Sequence, residues 1–438
     1  MSGQHVGAEI YELMNVLFPI CRSLTGDGVR QTLKIVCEYI PLQIYEVPTG
    51  TPVFDWTVPK EWNIRDAFIE DPHGKRIIEF SRSNLHVLNY SAPVDAIVPL
   101  EELKRHLYTL PDHPDWIPYK TSYYQENWGF CLSHHQFLSL EKGDYRVVVD
   151  STLEDGHLSY GEYFVPGEEQ GELIVSTHLC HPSLANDNLS GIAVATYLAK
   201  HFATRKRRYS YRFLFVPGTI GAITWLSINQ QSVGRIRHGL VLTGLGDTGK
   251  LTYKKSRRGD AQIDRAARYV LTRRDPGAVI REFSPYGYDE RQYCSPGFNL
   301  PVGRLSRTPC GEYEEYHSSA DNLDFVLPDK LGDSFAAIVE IFELLEGNDI
   351  YQNLNPMCEP QLGRRGLYDE IGPDQLAMLW VLSLSDGEHT LLDIAELSEL
   401  EFESVRTAAV ALKKFGLVGR VNRGHTRRRQ TRSGTATS

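Results

Sequence analysis

The chain has 438 residues, which predicts about three compact domains of roughly 100–200 residues each. Hydrophobic residues make up 41% and charged residues 23%, so the composition provides for folded cores and excludes a wholly disordered, collagen-like or fibrous protein. The 46 Lys and Arg residues are outnumbered by 56 Asp and Glu residues, and the net charge of −10 argues against a general nucleic-acid-binding protein.

The charge is unevenly distributed along the chain. Nine of the basic residues, and no Asp or Glu, lie in residues 404–438, so the preceding body is strongly acidic. Residues 424–438 show no apolar periodicity, which predicts a disordered basic tail.

Several features predict a cytoplasmic protein. The N-terminal sequence lacks a basic segment followed by an apolar one, and no run approaches 18 apolar residues. The seven cysteines are scattered and show no CxxC spacing, which is typical of reduced thiols. We therefore expect no membrane partner.

The first 130 residues predict helices followed by a β-rich insertion. Apolar residues recur at helical spacing through residues 9–40, on both sides of an SLTGDG turn. Residues 51–130 then become rich in aromatics and prolines, with short alternating stretches that predict short strands.

From about residue 145 the pattern predicts an α/β fold with a mainly parallel sheet flanked by helices. Apolar runs of strand length end in small or polar residues, helical segments such as NDNLSGIAVATYLAKHF separate them, and a helix over 329–345 closes the domain. With the N-terminal helices, this core is predicted over 1–50 and 131–350. The predicted strands are YRVVVDSTL, GELIVSTHL, YRFLFVPG and GLVLTGLG.

The C-terminal part predicts a small second domain. Residues 351–365 are rich in Asn, Pro and Gly and predict a linker. Residues 366–423 then contain a helix, a short helix, a longer helix that ends at Gly416, and a GLVGRV strand. This order predicts a winged helix-turn-helix.

The α/β part contains histidines and an aspartate that could bind a metal ion. His178 ends a buried strand, with His181 three residues later, Asp187 precedes a helix, and His317 follows much later in the chain. Functional groups gather beyond the carboxyl ends of such strands, and two imidazoles with a carboxylate are ligand types of a catalytic zinc site. The alternative is ordinary, because a histidine after a strand is more often a capped surface or core residue.

At this point the motifs resemble a known family. The chain is similar to the bacterial zinc aminopeptidase superfamily that includes glutaminyl cyclases. More closely, it resembles an aminopeptidase-like group with a small β-domain and a C-terminal winged helix, over residues 8–421. The matching motifs are ELIVSTHLCHP, NDNLSG, RFLFVPGTIGA, GLVLTG, YHSSADNLDF, FDWTVPKEWNIRDA, NLHVLNYS, TSYYQENWGFCLS and DERQYCSPG.

The resemblance implies a zinc exopeptidase-like fold with the metal at the strand ends. His178 matches the histidine that opens the metal site, Asp187 the aspartate that bridges two metals, and His317 the closing histidine. These three residues are the metal ligands that we predict.

Two further positions depart from the family pattern. Gly218 and Thr219 stand where the aminopeptidases have a Glu-Glu pair, one a general base and the other a ligand. Thr243 and Gly244 stand where another aspartate ligand is expected, with Asp247 slightly displaced. These departures predict one zinc ion rather than two and leave the general base open.

Other carboxylates are candidates for moving protons. Asp289 and Glu290 occupy the region where the family has an active-site Asp-His segment, and alternation places Glu315 on the same side of the chain as His317. The alternative for Glu315 is a solvated acidic run. Arg291, Arg304 and Arg307 are candidate ligands for a substrate carboxylate, although arginine is also common at surfaces.

Three functions remain open at this stage. The leading one is a zinc-dependent amide-bond hydrolase, an aminopeptidase-like metalloprotease acting on a short peptide or amino-acid conjugate. The second is an amide hydrolase or deacylase of a polysaccharide or natural-product pathway. The third is a catalytically lapsed pseudoenzyme that binds a partner or DNA.

The winged helix is predicted to pack or to form a homo-oligomer rather than to bind nucleic acid. Its longer helix begins acidic, whereas a helix that reads DNA presents Arg, Asn or Gln near its N-terminus. Four glutamates crowd the turn before and at the start of that helix: Glu396, Glu399, Glu401 and Glu403.

Overall fold

The computed structural model describes residues 3–367 and 374–421. The chain divides into two compact units, Met1–Ile341 and Phe342–Ser438. The predicted tail over 424–438 lies outside the described residues.

Helices and strands alternate along most of the chain. The helices are α1 Gly3–Leu17, α2 Asp27–Cys37, α3 Leu100–Leu103, α4 His134–Leu138, α5 Ser190–Ala203, α6 Ile220–Ile228, α7 Gln262–Arg274, α8 Glu290–Tyr293, α9 Pro328–Gly347, α10 Gln375–Leu384, α11 Leu391–Ser398 and α12 Phe402–Lys414. The strands are β1 Gln43–Pro48, β2 Pro52–Val53, β3 Trp56–Thr57, β4 Glu61–Glu70, β5 Arg76–Glu79, β6 Val94–Pro99, β7 Leu107–Tyr108, β8 Phe130–Cys131, β9 Asp144–Glu154, β10 His157–Val165, β11 Glu172–His178, β12 Ser210–Val216, β13 Ile236–Leu242, β14 Thr252–Lys254, β15 Val279–Arg281, β16 Val302–Ser306, β17 Ile350–Asn353, β18 Asp386–Thr390 and β19 Val418–Arg420.

An eight-stranded sheet forms the centre of the first unit, in the order β1-β10-β12-β11-β13-β16-β14-β15. Its middle strands β12, β11, β13 and β16 are parallel, whereas β1 and β10 join one side antiparallel. Every residue of β11 is buried, as expected for a strand covered on both faces. The predicted α/β fold with helices around a mainly parallel sheet is confirmed, with antiparallel strands added to it.

The second sheet of this unit differs from the predicted insertion. It has four strands in the order β5-β4-β9-β6, and β9 forms its interior together with β4. The segment YRVVVDSTL was predicted as a strand of the α/β core, but it belongs here. Its alternation of buried and exposed residues indicates a sheet with one solvated face. The small sheet therefore extends beyond the predicted boundary at residue 130.

The second unit has the elements of a winged helix. Strands β18, β17 and β19 form one antiparallel sheet, and α10, α11 and α12 supply the helices. A Thr390–Asp393 capping box begins α11, and Gly416, at φ +67°, follows the end of α12. The prediction of a linker over 351–365 is partly wrong, because its first residues belong to β17 (Ile350–Asn353), the central strand of this sheet.

Along the described residues, every helix is too short or too polar to traverse a lipid bilayer.

An ion pair joins the core to the small sheet. Arg30 on α2 donates from Nη1 and Nη2 to the two carboxylate oxygens of Glu61 at 2.7 and 2.6 Å, and from Nε to Glu46 at 2.7 Å. The hydrogen bonds from Arg30 are the main reason that the pKa of Glu61 falls to about 2.

We expect Glu61→Gln to lower the free energy of unfolding at pH 7 by about 1–2 kcal/mol, since a charge-assisted bidentate pair is lost. A carboxyl group whose pKa is lowered by folding stabilises the protein above its unfolded pKa, near 4.3, and loses that contribution as pH falls toward 2. Urea denaturation from pH 7 to pH 3 should therefore show the difference narrowing below about pH 4.5. Glu126→Gln, which breaks the exposed pair with Lys60, is the control and should change stability little.

Candidate metal centre

The three predicted metal ligands lie together at the carboxyl edge of the central sheet. His178 is the last residue of β11, and Asp187 lies in the irregular turn Ala185–Leu189 that leads into α5. His317 comes from the loop between β16 and α9. The parallel strands thus bring together side chains that are far apart in sequence.

The Asp187 carboxylate lies between the two imidazoles. Nε2 of His178 is 2.9 Å from Oδ1 of Asp187, and Nε2 of His317 is 3.2 Å from Oδ2. His178 and Asp187 are fully buried, and the His317 side chain is one-third exposed. Burial alone would raise the pKa of Asp187, but His181, His178 and His317 hold it well below its usual value. The carboxylate is therefore ionised and able to bind a cation.

A further histidine joins the cluster. One ligand atom each from His178, His181 and Asp187 lie within 4.8 Å of one another, and the His181 ring is 5.2 Å from that of His317. Burial is the main cause that lowers the pKa of His181 to about 3, so its imidazole is neutral, the form that binds metals. His181 was not among the predicted ligands, although its position three residues after His178 was a usable signal.

Hydrogen bonds fix the turn that carries Asp187. The two oxygens of the Asp321 carboxyl group accept the backbone N–H of Asn186 at 2.6 Å and that of Asp187 at 3.0 Å, and burial raises the pKa of this group to about 8. Nδ2 of Asn188 donates to the carbonyl of His178 at 3.1 Å, which ties the turn to the strand end. Asp187 is thus held by its backbone as well as by its side chain.

Aromatic rings surround the cluster. The Tyr288 ring stacks on His178 at 3.8 Å between centroids, and Tyr316 stacks on His317 at 3.9 Å. Tyr119 packs edge-on against His317 at 5.0 Å and against His181 at 5.1 Å. These contacts restrict the orientations of the imidazoles and exclude water from their faces.

The structure gives a physical reason for Gly218 where the resemblance led us to expect a glutamate. A Cβ at Gly218 would lie 2.2 Å from Cε1 of Tyr288, so this ring occupies the space that a side chain would need. Thr243, at the other departing position, lies 3.5 Å from the sulfur of Cys310.

Asp247 does not replace the missing carboxylate. Its Oδ1 accepts from Oγ1 of Thr308 at 2.6 Å and from the N–H of Gly249 at 2.7 Å, and its Oδ2 accepts from Nδ2 of Asn186 at 2.9 Å. Both oxygens therefore serve as acceptors within the loops around the site.

The neighbouring acids Glu290 and Asp289 differ sharply in environment. Glu290 is buried, with Nζ of Lys254 at 2.8 Å and Nη1 of Arg304 at 3.7 Å. Asp289 is also buried, but neither of its carboxylate oxygens has a hydrogen-bond partner. Burial raises the pKa of Asp289 well above its usual value, which favours its protonated form. Glu290 has the contacts of a structural ion pair, whereas Asp289 has a carboxyl group not engaged by the protein.

Glu315 lies on the turn that precedes His317. Its carbonyl accepts the N–H of Ser318 at 3.1 Å, and its side chain is partly exposed. Glu312, in the same run, pairs with Arg281 as a surface residue would.

The three candidate arginines also divide. Arg307 is buried and donates to Oγ of Ser334, to the carbonyl of Gly249 and to Asp333, which favours a structural role. Arg304 lies beside Glu290, and its Nε is buried without a hydrogen-bond partner. Nε of Arg291, next to Asp289 in sequence, is likewise unpartnered.

The central sheet and its helices form an α/β fold like that of zinc aminopeptidases. A zinc aminopeptidase from Bacillus subtilis superposes on this chain with a TM-score of 0.57 at 10% identity, over 78% of this chain and 94% of that one. At this identity the likeness shows the fold alone, and it confirms the predicted fold.

The chain also matches two protein families at the level of sequence. Residues 11–348 match the family described as "Domain of unknown function (DUF4910)", and residues 349–420 match a winged helix-turn-helix family. The chain therefore belongs to the DUF4910 family, and the predicted winged helix is confirmed.

Two of the matches come from Clostridium acetobutylicum. One is provisionally named a polysaccharide biosynthesis protein with an aminopeptidase-like domain, and it is 50% identical over 423 residues, which are 95% of this chain and 97% of that protein. The other is the crystal structure of a protein provisionally named a peptidase. Its TM-score is 0.91 at 50% identity, over 96% of this chain and 97% of that one.

We expect Asp321→Asn to loosen the turn that carries Asp187, because an amide has one acceptor oxygen, whereas each of the two oxygens of Asp321 accepts one backbone N–H. The NH2 group of the introduced asparagine would face the N–H that now donates to the other oxygen, so one hydrogen bond is lost. The free energy of unfolding should therefore fall by about 1–3 kcal/mol. Hydrogen exchange at Asn186 and Asp187 should accelerate. Exposed Asp324→Asn is the matched control; equal stability and equal exchange in both variants would contradict this role for Asp321.

Proposed function

We propose that this protein is a metal-dependent hydrolase of amide bonds that uses one zinc ion held by His178, Asp187 and His317. The observation that carries the proposal is the buried, ionised Asp187 carboxylate between two imidazole nitrogens. The substrate of the leading version is a short peptide or an amino-acid conjugate, cleaved as by an exopeptidase.

The donor set fits zinc in type. Two atoms bound to one tetrahedral zinc ion at about 2.0–2.1 Å lie about 3.3–3.4 Å apart. Each His–Asp separation, 2.9 and 3.2 Å, is close to this value, but His178 faces Oδ1 and His317 faces Oδ2, so one imidazole must move for both histidines to bind the same ion. His181 stands next to the set as a neutral imidazole and is a candidate for a fourth contact.

The arrangement assigns roles to the protein's own groups. A bound zinc ion supplies a Lewis acid that polarises an amide carbonyl and lowers the pKa of water. Asp321 holds the turn that positions Asp187, and the stacked Tyr288 and Tyr316 keep water from the imidazole faces. We assign proton transfer to the Asp289 carboxyl group, which lies beside Tyr288 in the chain and has both oxygens free of protein partners. Glu315 remains the other candidate, and the ion-paired Glu290 has less support.

One ion is favoured over two because the further family ligands are missing. Gly218 has no side chain, Thr243 contacts Cys310, and Asp247 is engaged by Thr308, Gly249 and Asn186.

A second candidate is a deacylase of a polysaccharide pathway. The name of the Clostridium acetobutylicum relative supports this class of pathway. The internal contacts of Arg307 and Glu290 also favour a substrate with a neutral amide, because these side chains are less available to bind a charged peptide terminus. A pseudoenzyme would bind no metal or would show no turnover.

For the C-terminal unit we propose packing or homo-oligomer formation rather than DNA binding. Arg406, near the start of α12, pairs with Glu403, which reduces the positive charge available to a phosphate. The cytoplasmic location stays a prediction.

We expect the purified protein to retain about one zinc ion after dialysis, and His178→Ala or His317→Ala to weaken zinc binding by about 100-fold or more, since each removes one of the proposed first ligands. Metal analysis and competition with a chromophoric chelator measure this. His238→Ala, which removes a buried imidazole packed against Tyr209, is the control and should bind zinc normally. Full affinity in His178→Ala would overturn the ligand assignment.

We expect Asp289→Asn to lower turnover by about 100-fold or more without changing zinc content, since the amide cannot transfer a proton. Assays should compare amino-acid release from short peptides with acetate release from N-acetylated amino sugars, which separates the two candidate functions. Exposed Asp260→Asn is the control. Unchanged turnover in Asp289→Asn would transfer the proton-handling role to Glu315.

A further inference from the structure

A buried ion pair joins strand β14 to the first residue of α8. Nζ of Lys254 lies 2.8 Å from Oε1 of Glu290, and the two side chains are 4% and 0% exposed. We call these two residues the buried pair. Arg304, which the register places directly opposite Lys254 on β16, faces the same oxygen at 3.7 Å. Because desolvation offsets much of the attraction within a buried ion pair, stability alone explains these residues poorly.

The buried pair also holds the loop that precedes α8. Nζ of Lys254 donates to the carbonyl of Tyr286 at 2.7 Å, and Oε2 of Glu290 accepts the backbone N–H of Tyr288 at 3.0 Å. The two hydrogen bonds therefore lie on either side of Gly287. Both involve a charged group, which makes them stronger than hydrogen bonds between neutral groups. The backbone of residues 286–288 is thus fixed to a strand of the central sheet.

Two glycines allow this close packing. A Cβ at Gly287 would lie 2.0 Å from Oε1 of Glu290 and 2.7 Å from Nζ of Lys254, so no side chain fits between the loop and the buried pair. Gly218 leaves the space that the Tyr288 ring fills, since a Cβ there would lie 2.2 Å from that ring. One glycine therefore admits the buried pair, and the other admits the ring.

This loop carries Tyr288 to the metal centre. The Tyr288 ring stacks on His178 at 3.8 Å between centroids. Asp289, to which we assign proton transfer, lies in the chain between Tyr288 and Glu290, the two residues joined by the 3.0 Å hydrogen bond. A shift of the loop would therefore move the ring and the Asp289 carboxyl group together. A displacement of about 1 Å is enough to lower a catalytic rate by about 100-fold.

The buried pair fits an indirect role better than a direct one. The ammonium group of Lys254 donates to two acceptors, and both carboxylate oxygens of Glu290 have protein partners. Their near-complete burial also keeps substrate away from both charged groups. The pair therefore acts through the residues that it holds, not through contact with a reacting group.

We propose that Lys254 and Glu290 are positioning residues of the metal centre, which hold the Tyr288 ring against His178 and set the position of Asp289. The part that concerns Asp289 rests on the proposed function. The placement of Tyr288 requires neither zinc nor turnover, so it can be tested by itself.

The NMR signals of the His178 imidazole, in full-length protein with isotope-labelled histidine, test the placement of Tyr288. An aromatic ring stacked at 3.8 Å shifts these signals through its ring current. Tyr288→Leu removes the ring and defines the unstacked spectrum. We expect Lys254→Met to move the His178 signals most of the way toward that spectrum. Gly287→Ala should do the same, because its Cβ displaces the loop while both charges stay in place.

Lys255→Met is the matched control, because Lys255 follows β14 directly but pairs with the exposed Glu282. It should leave the His178 signals unchanged. The signals of His317, which stacks on Tyr316, serve as an internal reference and should stay constant in all of these variants.

The double variant Lys254→Met/Glu290→Leu separates positioning from folding. It replaces both charges by apolar side chains, so its thermal stability should exceed that of Lys254→Met, which leaves a carboxylate buried without its lysine. The hydrogen bonds to the loop remain absent, so the His178 signals should stay close to those of Tyr288→Leu. Wild-type His178 signals in the double variant or in Lys254→Met would overturn the proposal.

Turnover at saturating zinc tests the part that concerns Asp289. Lys254→Met should lower turnover by about tenfold or more, since the carboxyl group is displaced. Full turnover in a variant with shifted His178 signals would overturn the role in placing Asp289. Absence of turnover in the wild type would count against the proposed function and leave the NMR result standing.

Discussion

The buried charge of Asp187 is the constraint on which the rest of the site depends. A fully buried carboxylate is costly unless charged or hydrogen-bonding groups compensate it. Here the compensation comes from His178 at the end of β11 and from His317 in a distant loop, whose Nε2 atoms lie 2.9 and 3.2 Å from the carboxylate oxygens. Three separate parts of the chain must therefore meet at one edge of the sheet. The hydrogen bonds that Asp321 accepts from the backbone of Asn186 and Asp187 hold the turn that carries Asp187 in place.

The same requirement explains which other acids are available for chemistry. Glu290 forms ion pairs with Lys254 and Arg304. Asp247 accepts hydrogen bonds from Thr308, Gly249 and Asn186. Both carboxylates therefore have structural partners and are less available for catalysis. Asp289 differs because neither of its carboxyl oxygens has a hydrogen-bond partner. Burial raises its pKa well above the usual value, which favours the uncharged form. Compensated and uncompensated acids can thus be distinguished in structure where they could not be in sequence.

Sequence patterns predicted helices, strands and motif residues well, but they predicted strand pairing and tertiary side-chain contacts less well. The apolar runs of β11 and β13 predicted buried parallel strands, and the capped helices of the winged unit followed from local signals. The placement of β9 was wrong because alternation identifies a strand but not the sheet that it joins. His178, Asp187 and His317 came from motifs, whereas the inclusion of His181 and the ion pairing of Glu290 depend on tertiary contacts that no local pattern encodes.

Gly218 leaves room for an aromatic ring beside the cluster. The space beside Gly218 is filled by Tyr288, which stacks on His178 and brings its hydroxyl to 3.5 Å from the sulfur of Cys180. Burial raises the pKa of Tyr288 well above its usual value, so the phenol stays neutral. The wall beside His178 is therefore a neutral aromatic surface. Aromatic packing continues on the other side of the cluster, where Tyr119 packs edge-on against His181 and His317 and its hydroxyl lies 2.8 Å from that of Tyr123.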